Sequence, residues 1–296
     1  MDLLSIDSLS DGQIADILDR GDFWFGENRA GRTATTLAGK IVFNLFYENS
    51  TRTAMSFSTA VHRLGGAPVS LSTEHSSLKK GETLEDTART LNAMRPDALV
   101  IRHRENGAAA ATALIVDAPV INAGDGTNEH PTQALLDAAT IRHRFGRIAG
   151  LKVAICGDIR HSRVARSNAK LLPRLGAELR LAGPPGLMPE GIAALSVDEA
   201  VAGADVVMML RVQRERLDTD LGDRPGEYLQ SHGLTAERFA TAAQGAVVMH
   251  PGPMNRGIEI EDRIADDPER SLITLQVEMG VAVRMACLEL LVSGAA

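Results

Sequence analysis

Aromatic side chains supply only 3% of the 296 residues, so Leu, Val, Ile and Ala must fill whatever core the chain builds. Cysteine is scarcer still. Cys156 sits in the apolar run Val153-Ala154-Ile155-Cys156 and Cys287 in a late helical pattern, and each reads as a buried free thiol rather than half of a disulfide. No charged-then-apolar leader opens the chain, and no apolar stretch approaches the roughly 18 residues of a membrane span. The expectation is a cytoplasmic protein with no membrane partner. Positive charge is in deficit, at a net −7, which argues against a broad nucleic-acid surface. Small anions remain admissible, because a few converging arginines reverse the field locally. No Walker-type glycine loop occurs, and the turn Cys156-Gly157-Asp158-Ile159-Arg160 lacks the glycine spacing of a dinucleotide site. Clustered metal ligands at recognised spacing are missing, as are solenoid repeats and low-complexity tracts.

What the chain does have is strand–helix alternation, run twice. Ser10-Asp11-Gly12-Gln13 has the spacing of a capping box and opens an amphipathic helix expected to end near Gly21. Apolar runs at 41–46, 69–71, 98–101 and 119–122 read as buried strands, with helical patterns at 50–64, 83–94 and 132–145. The second half repeats the scheme, with strands at 152–156, 178–182, 205–210 and 246–250 and helices at 163–175 and 197–202. A last helical segment, 273–292, is apolar enough to pack back on another element. The pattern predicts an α/β protein of two domains, each an open parallel sheet flanked by helices, joined by a bridging helix. The boundaries expected are 1–132, a bridge at 133–149, and 150–272, with 273–296 returning to the first domain.

Residues suited to anions cluster where such sheets bind ligands. Ser50-Thr51-Arg52-Thr53 follows a strand and opens a helix, whose free N–H groups and dipole favour a phosphate, while Arg52 adds a planar fork. Taken alone, it reads equally well as a Ser/Thr cap with a solvated arginine. His130-Pro131-Thr132-Gln133 starts another helix after the turn Asn122-Ala123-Gly124-Asp125-Gly126. There His130 could donate to a carbonyl oxygen and Gln133 could hold an amide nitrogen, although a capping histidine without a ligand fits the isolated motif as well. Arg102-His103-Arg104 follows a strand, with one cation facing the crevice. In the second half Arg163 stands at a helix start, Arg211-Val212-Gln213 closes a strand, and His250-Pro251-Gly252-Pro253 makes a stiff turn. The set suits one substrate with a phosphate and a carbonyl and another with two carboxylates.

Phe46-Tyr47-Glu48-Asn49-Ser50-Thr51-Arg52-Thr53 with Ser56-Phe57, and His130-Pro131-Thr132-Gln133-Ala134-Leu135-Leu136-Asp137, resemble the two hallmarks of the aspartate/ornithine carbamoyltransferase family. Leu210-Arg211-Val212-Gln213-Arg214-Glu215-Arg216 and Lys80-Gly81-Glu82-Thr83 are similar to that family's aspartate branch. His250-Pro251-Gly252-Pro253 replaces the His-Cys-Leu-Pro turn of its ornithine branch. The resemblance implies transfer of the carbamoyl group of carbamoyl phosphate to the α-amine of L-aspartate, in de novo pyrimidine biosynthesis, without metal or organic cofactor. The alternatives are another, ornithine-like amine acceptor, or a catalytically silent scaffold. By the same resemblance Ser50, Thr51, Arg52, Thr53, Arg102, His130 and Gln133 would hold carbamoyl phosphate, with backbone groups around Gly252 and Pro253 completing that pocket. Arg52, Thr53, Arg102 and His130 would act in catalysis, and Lys80, Arg163, Arg211 and Gln213 would bind aspartate. Ser76 and Lys80 would arrive from a neighbouring subunit, which implies a homotrimer, open to higher assembly with regulatory or dihydroorotase-like chains.

Overall fold

Two four-stranded parallel sheets account for the alternation, one in each of the two units into which the chain divides. The computed structural model describes residues 1–71, 81–192, 195–212 and 226–293. One unit takes Met1–Ala139 with Val277–Ala296, the other Thr140–Gln276. In chain order the elements are α1 (Asp11–Arg29), β1 (Ile41–Phe46), α2 (Thr51–Arg63), β2 (Ala67–Leu71), α3 (Leu84–Asn92), β3 (Ala98–His103), α4 (Ala108–Ala113), β4 (Val120–Asp125) and α5 (Pro131–Phe145). There follow β5 (Lys152–Cys156), α6 (Arg163–Arg174), β6 (Glu178–Ala182), α7 (Val197–Val201), β7 (Val206–Met209), α8 (Glu227–His232), α9 (Ala236–Phe239), β8 (Val247–Met249), α10 (Asp262–Ala265) and α11 (Ile273–Leu288). Both α5 and α11 begin in one unit and end in the other.

The first sheet runs β2-β1-β3-β4, every pair parallel. Its inner strands are buried on both faces, as a sheet covered by helices on either side requires. Phe43, Leu45, Leu99, Ile101 and Val120 pack with Ala88 and Ala109 of α3 and α4 on one side of it. The capping box forms as the sequence requires: Gln13 N–H donates to Ser10 Oγ at 3.2 Å and Ser10 N–H to Gln13 Oε1 at 2.8 Å. The opening helix does not stop near Gly21, however, but runs on to Arg29. Gly21 is there for packing: a Cβ on it would lie 3.0 Å from Val283 Cγ2 on α11. A glycine inside a helix costs about 1 kcal/mol relative to alanine, which the close approach of two helices can offset.

The second sheet runs β6-β5-β7-β8, again all parallel. Ala154, Cys156, Val207, Met209 and Val248 form its core with Phe239 and Ile260. Both cysteines are buried free thiols. The last helical segment is not uniform, since α11 gives way to a π-helical stretch over Glu289–Ser293.

Candidate functional site

In each sheet the strand order reverses at one place, between β1 and β3 in the first and between β5 and β7 in the second. Connections leave such a switch point in opposite directions, so a crevice opens beyond the carboxyl ends of the strands. Those of the residues singled out in the sequence that the structure describes lie toward these two ends.

In the first unit α2 starts five residues after β1, with Ser50 as its N-cap. Ser50 makes no side-chain capping bond, and no acidic residue stands in the first turn, so the hydroxyl and the leading N–H groups are not spent on the helix itself. Arg52 is exposed, and desolvation by its surroundings draws its pKa below the ordinary arginine value, with no carboxylate among the described residues acting the other way. A desolvated cation without a counter-charge favours an arriving anion. Thr53 is buried. Arg102 pairs in register with Phe46 at the end of β1, which brings it beside this helix start. Its Nη1 donates to Ala123 O at 3.3 Å and its Nε stands 3.3 Å from Glu48 Oε2.

The loop that delivers His130 is tied down by a buried carboxylate. Asp125 Oδ1 accepts from Asn122 Nδ2 (2.8 Å) and Glu129 N (3.1 Å), and Oδ2 from Gly107 N (2.6 Å) and Asn128 Nδ2 (3.1 Å). Gly126, at φ +45°, fits because a Cβ would fall 2.0 Å from Asn106 Oδ1. Glu129 Oε2 accepts from Ile6 N at 2.9 Å, so the N-terminal segment braces the loop as well. His130 is buried ahead of Pro131, the first residue of α5. One turn on, Gln133 Nε2 donates to Asp137 Oδ1 at 2.9 Å, which leaves Gln133 Oε1 as an acceptor. The ends of β1, β3 and β4 thus gather Ser50, Thr51, Arg52, Thr53, Arg102, His130 and Gln133 in one unit.

Arg163, Arg211, Gly252 and Pro253 belong to the other unit. Ser162 caps α6, its Oγ accepting from Ala165 N at 3.1 Å, and so places Arg163 in the first turn. Arg211 follows β7 directly beside the turn after β5: Leu210 N donates to Cys156 O at 2.8 Å, and a Cβ on Gly157 would meet Leu210 O at 2.9 Å. In that turn the fully buried Asp158 accepts His161 N at 3.1 Å and holds His161 Nδ1 at 3.0 Å. The turn after β8 is held by a second such pair. His250 Nδ1 accepts from Gly252 N at 2.8 Å, so the proton sits on Nε2, 3.3 Å from the buried Glu259 Oε1. Asn255 Nδ2 donates to Val212 O at 3.4 Å, joining this turn to the segment carrying Arg211. Ser76, Lys80 and Gln213 lie outside the described residues.

Sequence reasoning passed over Asp125, Asp137, the Asp158–His161 pair and the His250–Glu259 pair. The i, i+4 spacing of Gln133 and Asp137 on one helix face was a usable signal. For Asp125 none existed, because one of its donors, Gly107, comes from 18 residues away. Among the described residues no cluster of three or more His, Cys, Asp or Glu could hold a metal ion, and no helix is long and apolar enough to cross a membrane.

Fold and site together define a two-unit parallel α/β protein that carries cationic groups at both of its switch points. The chain belongs to the aspartate/ornithine carbamoyltransferase family: that family's carbamoyl-P binding domain matches residues 1–143 and its Asp/Orn binding domain residues 149–291. It is 56% identical over 296 residues to the aspartate carbamoyltransferase catalytic subunit of Rhizorhabdus wittichii, covering 98% of this chain and 94% of that one. The catalytic subunit of Rhodospirillum rubrum is 54% identical, with 98% and 93% covered. Among solved structures it resembles the Trypanosoma cruzi aspartate transcarbamoylase in complex with carbamoyl phosphate, at 33% identity, TM-score 0.88 and coverage of 97% and 94%. The same enzyme with N-(phosphonacetyl)-L-aspartic acid gives 32%, 0.85, 97% and 94%. The ornithine carbamoyltransferase of Thermus thermophilus gives 25%, 0.86 and 98% of both chains.

Proposed function

We propose that the chain catalyses carbamoyl transfer from carbamoyl phosphate to the α-amine of L-aspartate, releasing N-carbamoyl-L-aspartate and phosphate, a step of de novo pyrimidine biosynthesis. The observation that carries the choice of acceptor is the placement of Arg163 and Arg211 at the ligand end of the second sheet. Two guanidinium groups suit a dicarboxylate, whereas the ammonium side chain of ornithine would want a carboxylate there. The Rhizorhabdus wittichii and Rhodospirillum rubrum relatives, each matched over more than nine-tenths of its length, are aspartate carbamoyltransferase catalytic subunits.

In this reading Ser50, Thr51, Arg52 and Thr53 hold the phosphate with the N-terminus of α2, and Gln133 Oε1 accepts from the carbamoyl NH2. The neutral amine attacks the carbamoyl carbon. Negative charge growing on the carbonyl oxygen is met by His130, Arg102 and Thr53, an oxyanion-type stabilisation. As the carbon–oxygen bond breaks, phosphate leaves and takes the amine proton, so the atoms balance without a protein base, a metal or an organic cofactor. Residues 1–132 with 273–296 act as the carbamoyl phosphate-binding domain, 133–149 as the bridge and 150–272 as the aspartate-binding domain. Gly252 and Pro253 supply further backbone contacts to the carbamoyl group, and Gln213 joins the arginines on aspartate. Ser76 and Lys80 come from a neighbouring subunit of a cytoplasmic homotrimer, with which regulatory or dihydroorotase-like chains can assemble.

The test is an assay of the purified chain with carbamoyl phosphate and either aspartate or ornithine, following phosphate and the carbamoylated product. Product with aspartate alone is expected. Preference for ornithine would reassign the acceptor, and no phosphate release with either amine would favour a silent scaffold.

A further inference from the structure

The pairing of β3 with β4 loses its step just where the first unit brings Arg102 and His130 together. Ile101 pairs with Asn122, but His103 pairs with Asp125, so β4 holds one extra residue opposite Arg102. A bulge of this kind re-aims the side chains beside it, and bulges are common next to active sites. Arg102 Nη1 donates to Ala123 O, inside the bulge, at 3.3 Å. Asn122 holds the bulge from within. Its Oδ1 accepts from Gly124 N at 2.9 Å, and its Nδ2 donates to Asp125 Oδ1 at 2.8 Å.

Asp125 is buried, and each of its two oxygens takes two partners. Besides Asn122, Oδ1 accepts from Glu129 N at 3.1 Å, while Asp125 N donates to Glu129 O at 3.1 Å, so the loop closes on the residue that precedes His130. Oδ2 accepts from Gly107 N at 2.6 Å, on the chain that leaves β3, and from Asn128 Nδ2 at 3.1 Å. One side chain therefore binds the bulge that receives Arg102, the base of the His130 loop and the segment following Arg102. All four partners are N–H groups, and only a side chain with acceptors at both ends suits them. The amide of Asp125→Asn has the same shape but turns an NH2 toward two N–H groups whichever way round it sits. It must release either Asn122 and Glu129 or Gly107 and Asn128.

We propose that Asp125 is a positioning residue that fixes Arg102 and His130 relative to each other, so that both reach the carbonyl oxygen on which negative charge develops. The inference rests on the carbamoyl-transfer reading above. Its test is steady-state kinetics of the full chain with aspartate, joined to calorimetric titration of inorganic phosphate, for Asp125→Asn alone and in a His130→Ala background. Inorganic phosphate can meet the start of α2 but has no carbonyl. Asp125→Asn lowers kcat about ten- to a hundredfold, the scale of a misplacement of about 1 Å among catalytic groups, and moves the phosphate affinity by less than about twofold. In the His130→Ala background the same substitution costs no more than about threefold, because one of the two groups it positions is already gone. A side chain that only stabilised the fold would cost the same factor in both backgrounds. Should the Asn variant fail to fold, Asn128→Ala removes one donor from a half-buried side chain and lowers kcat roughly threefold or more, again with a smaller loss where His130 is absent. Unchanged kcat in folded Asp125→Asn, or in Asn128→Ala where that variant stands in, overturns the proposal. So do equal factors in the two backgrounds, or a loss of phosphate affinity as large as the loss of kcat. Absence of carbamoyl transfer by the unaltered chain would instead overturn the functional reading on which the proposal stands.

Discussion

At Arg52 the sequence and the structure meet on one side chain. A cation at the start of a helix, drawn down in pKa by desolvation and facing no carboxylate among the described residues, lowers its free energy chiefly by meeting an anion. Arg52→Ala is therefore expected to weaken carbamoyl phosphate binding by about ten- to a hundredfold, the range for a charge-assisted hydrogen bond to phosphate. Calorimetric titration measures it, and an unchanged affinity would remove Arg52 from the phosphate set. Arg211→Ala is expected to raise the KM for aspartate while carbamoyl phosphate binding stays within about twofold. Equal loss of both would contradict the division of substrates between the two units. The thiols give a third check. Burial raises both Cys156 and Cys287 to about 12, so neither forms thiolate near neutral pH. A disulfide exchange reagent should find no reactive thiol in the native chain and two after denaturation.

Among elements, the pairing of α1 with the C-terminal helix gives the clearest energetic prediction. Glu289 accepts from Arg20 Nε (2.5 Å) and Nη2 (2.9 Å) and from Trp24 Nε1 (3.0 Å). The Arg20 side chain is 42% exposed, so solvent screens that part, and the buried indole bond carries more of the effect. Glu289→Ala should destabilise the first unit by roughly 1–3 kcal/mol, mainly by leaving the Trp24 N–H without its acceptor. Trp24 is the one tryptophan in the chain, so a urea titration followed by its fluorescence reads the change directly. An unmoved midpoint would show that the pairing does not stabilise the unit. The inner strands were legible because they are nearly continuous buried runs, as at Val42-Phe43-Asn44-Leu45, whereas the edge strands β2 and β6 are only partly buried. The short helices α4, α8, α9 and α10 were not, since four to six residues carry less than two turns of periodicity. The end of α1 was misread for another reason. Gly21 looks like a stop in the sequence, and only the approach of Val283 from the far end of the chain explains it.

For the molecule as a whole, the proposed sharing of Lys80 between subunits predicts complementation. Mixing inactive Lys80→Ala chains with inactive Arg52→Ala chains should restore part of the activity, because some sites then receive both native residues. No recovery despite demonstrated subunit exchange would confine the site to one chain. The amino-acid order alone determined the two parallel sheets, the helix starts after their strands, and the residue types suited to phosphate, carbonyl and carboxylate groups. It could do so because burial and helix starts leave local marks, such as apolar runs, capping residues and glycines. Only the tertiary structure decided which strands adjoin, and so where the chain reverses direction and brings Arg102 beside α2. It also decided that Gly107 donates to Asp125, which anchors the His130 loop, and that Arg284 lies buried against Ser56. Those contacts depend on the desolvation and geometry of groups as many as 228 residues apart, and no local pattern encodes them.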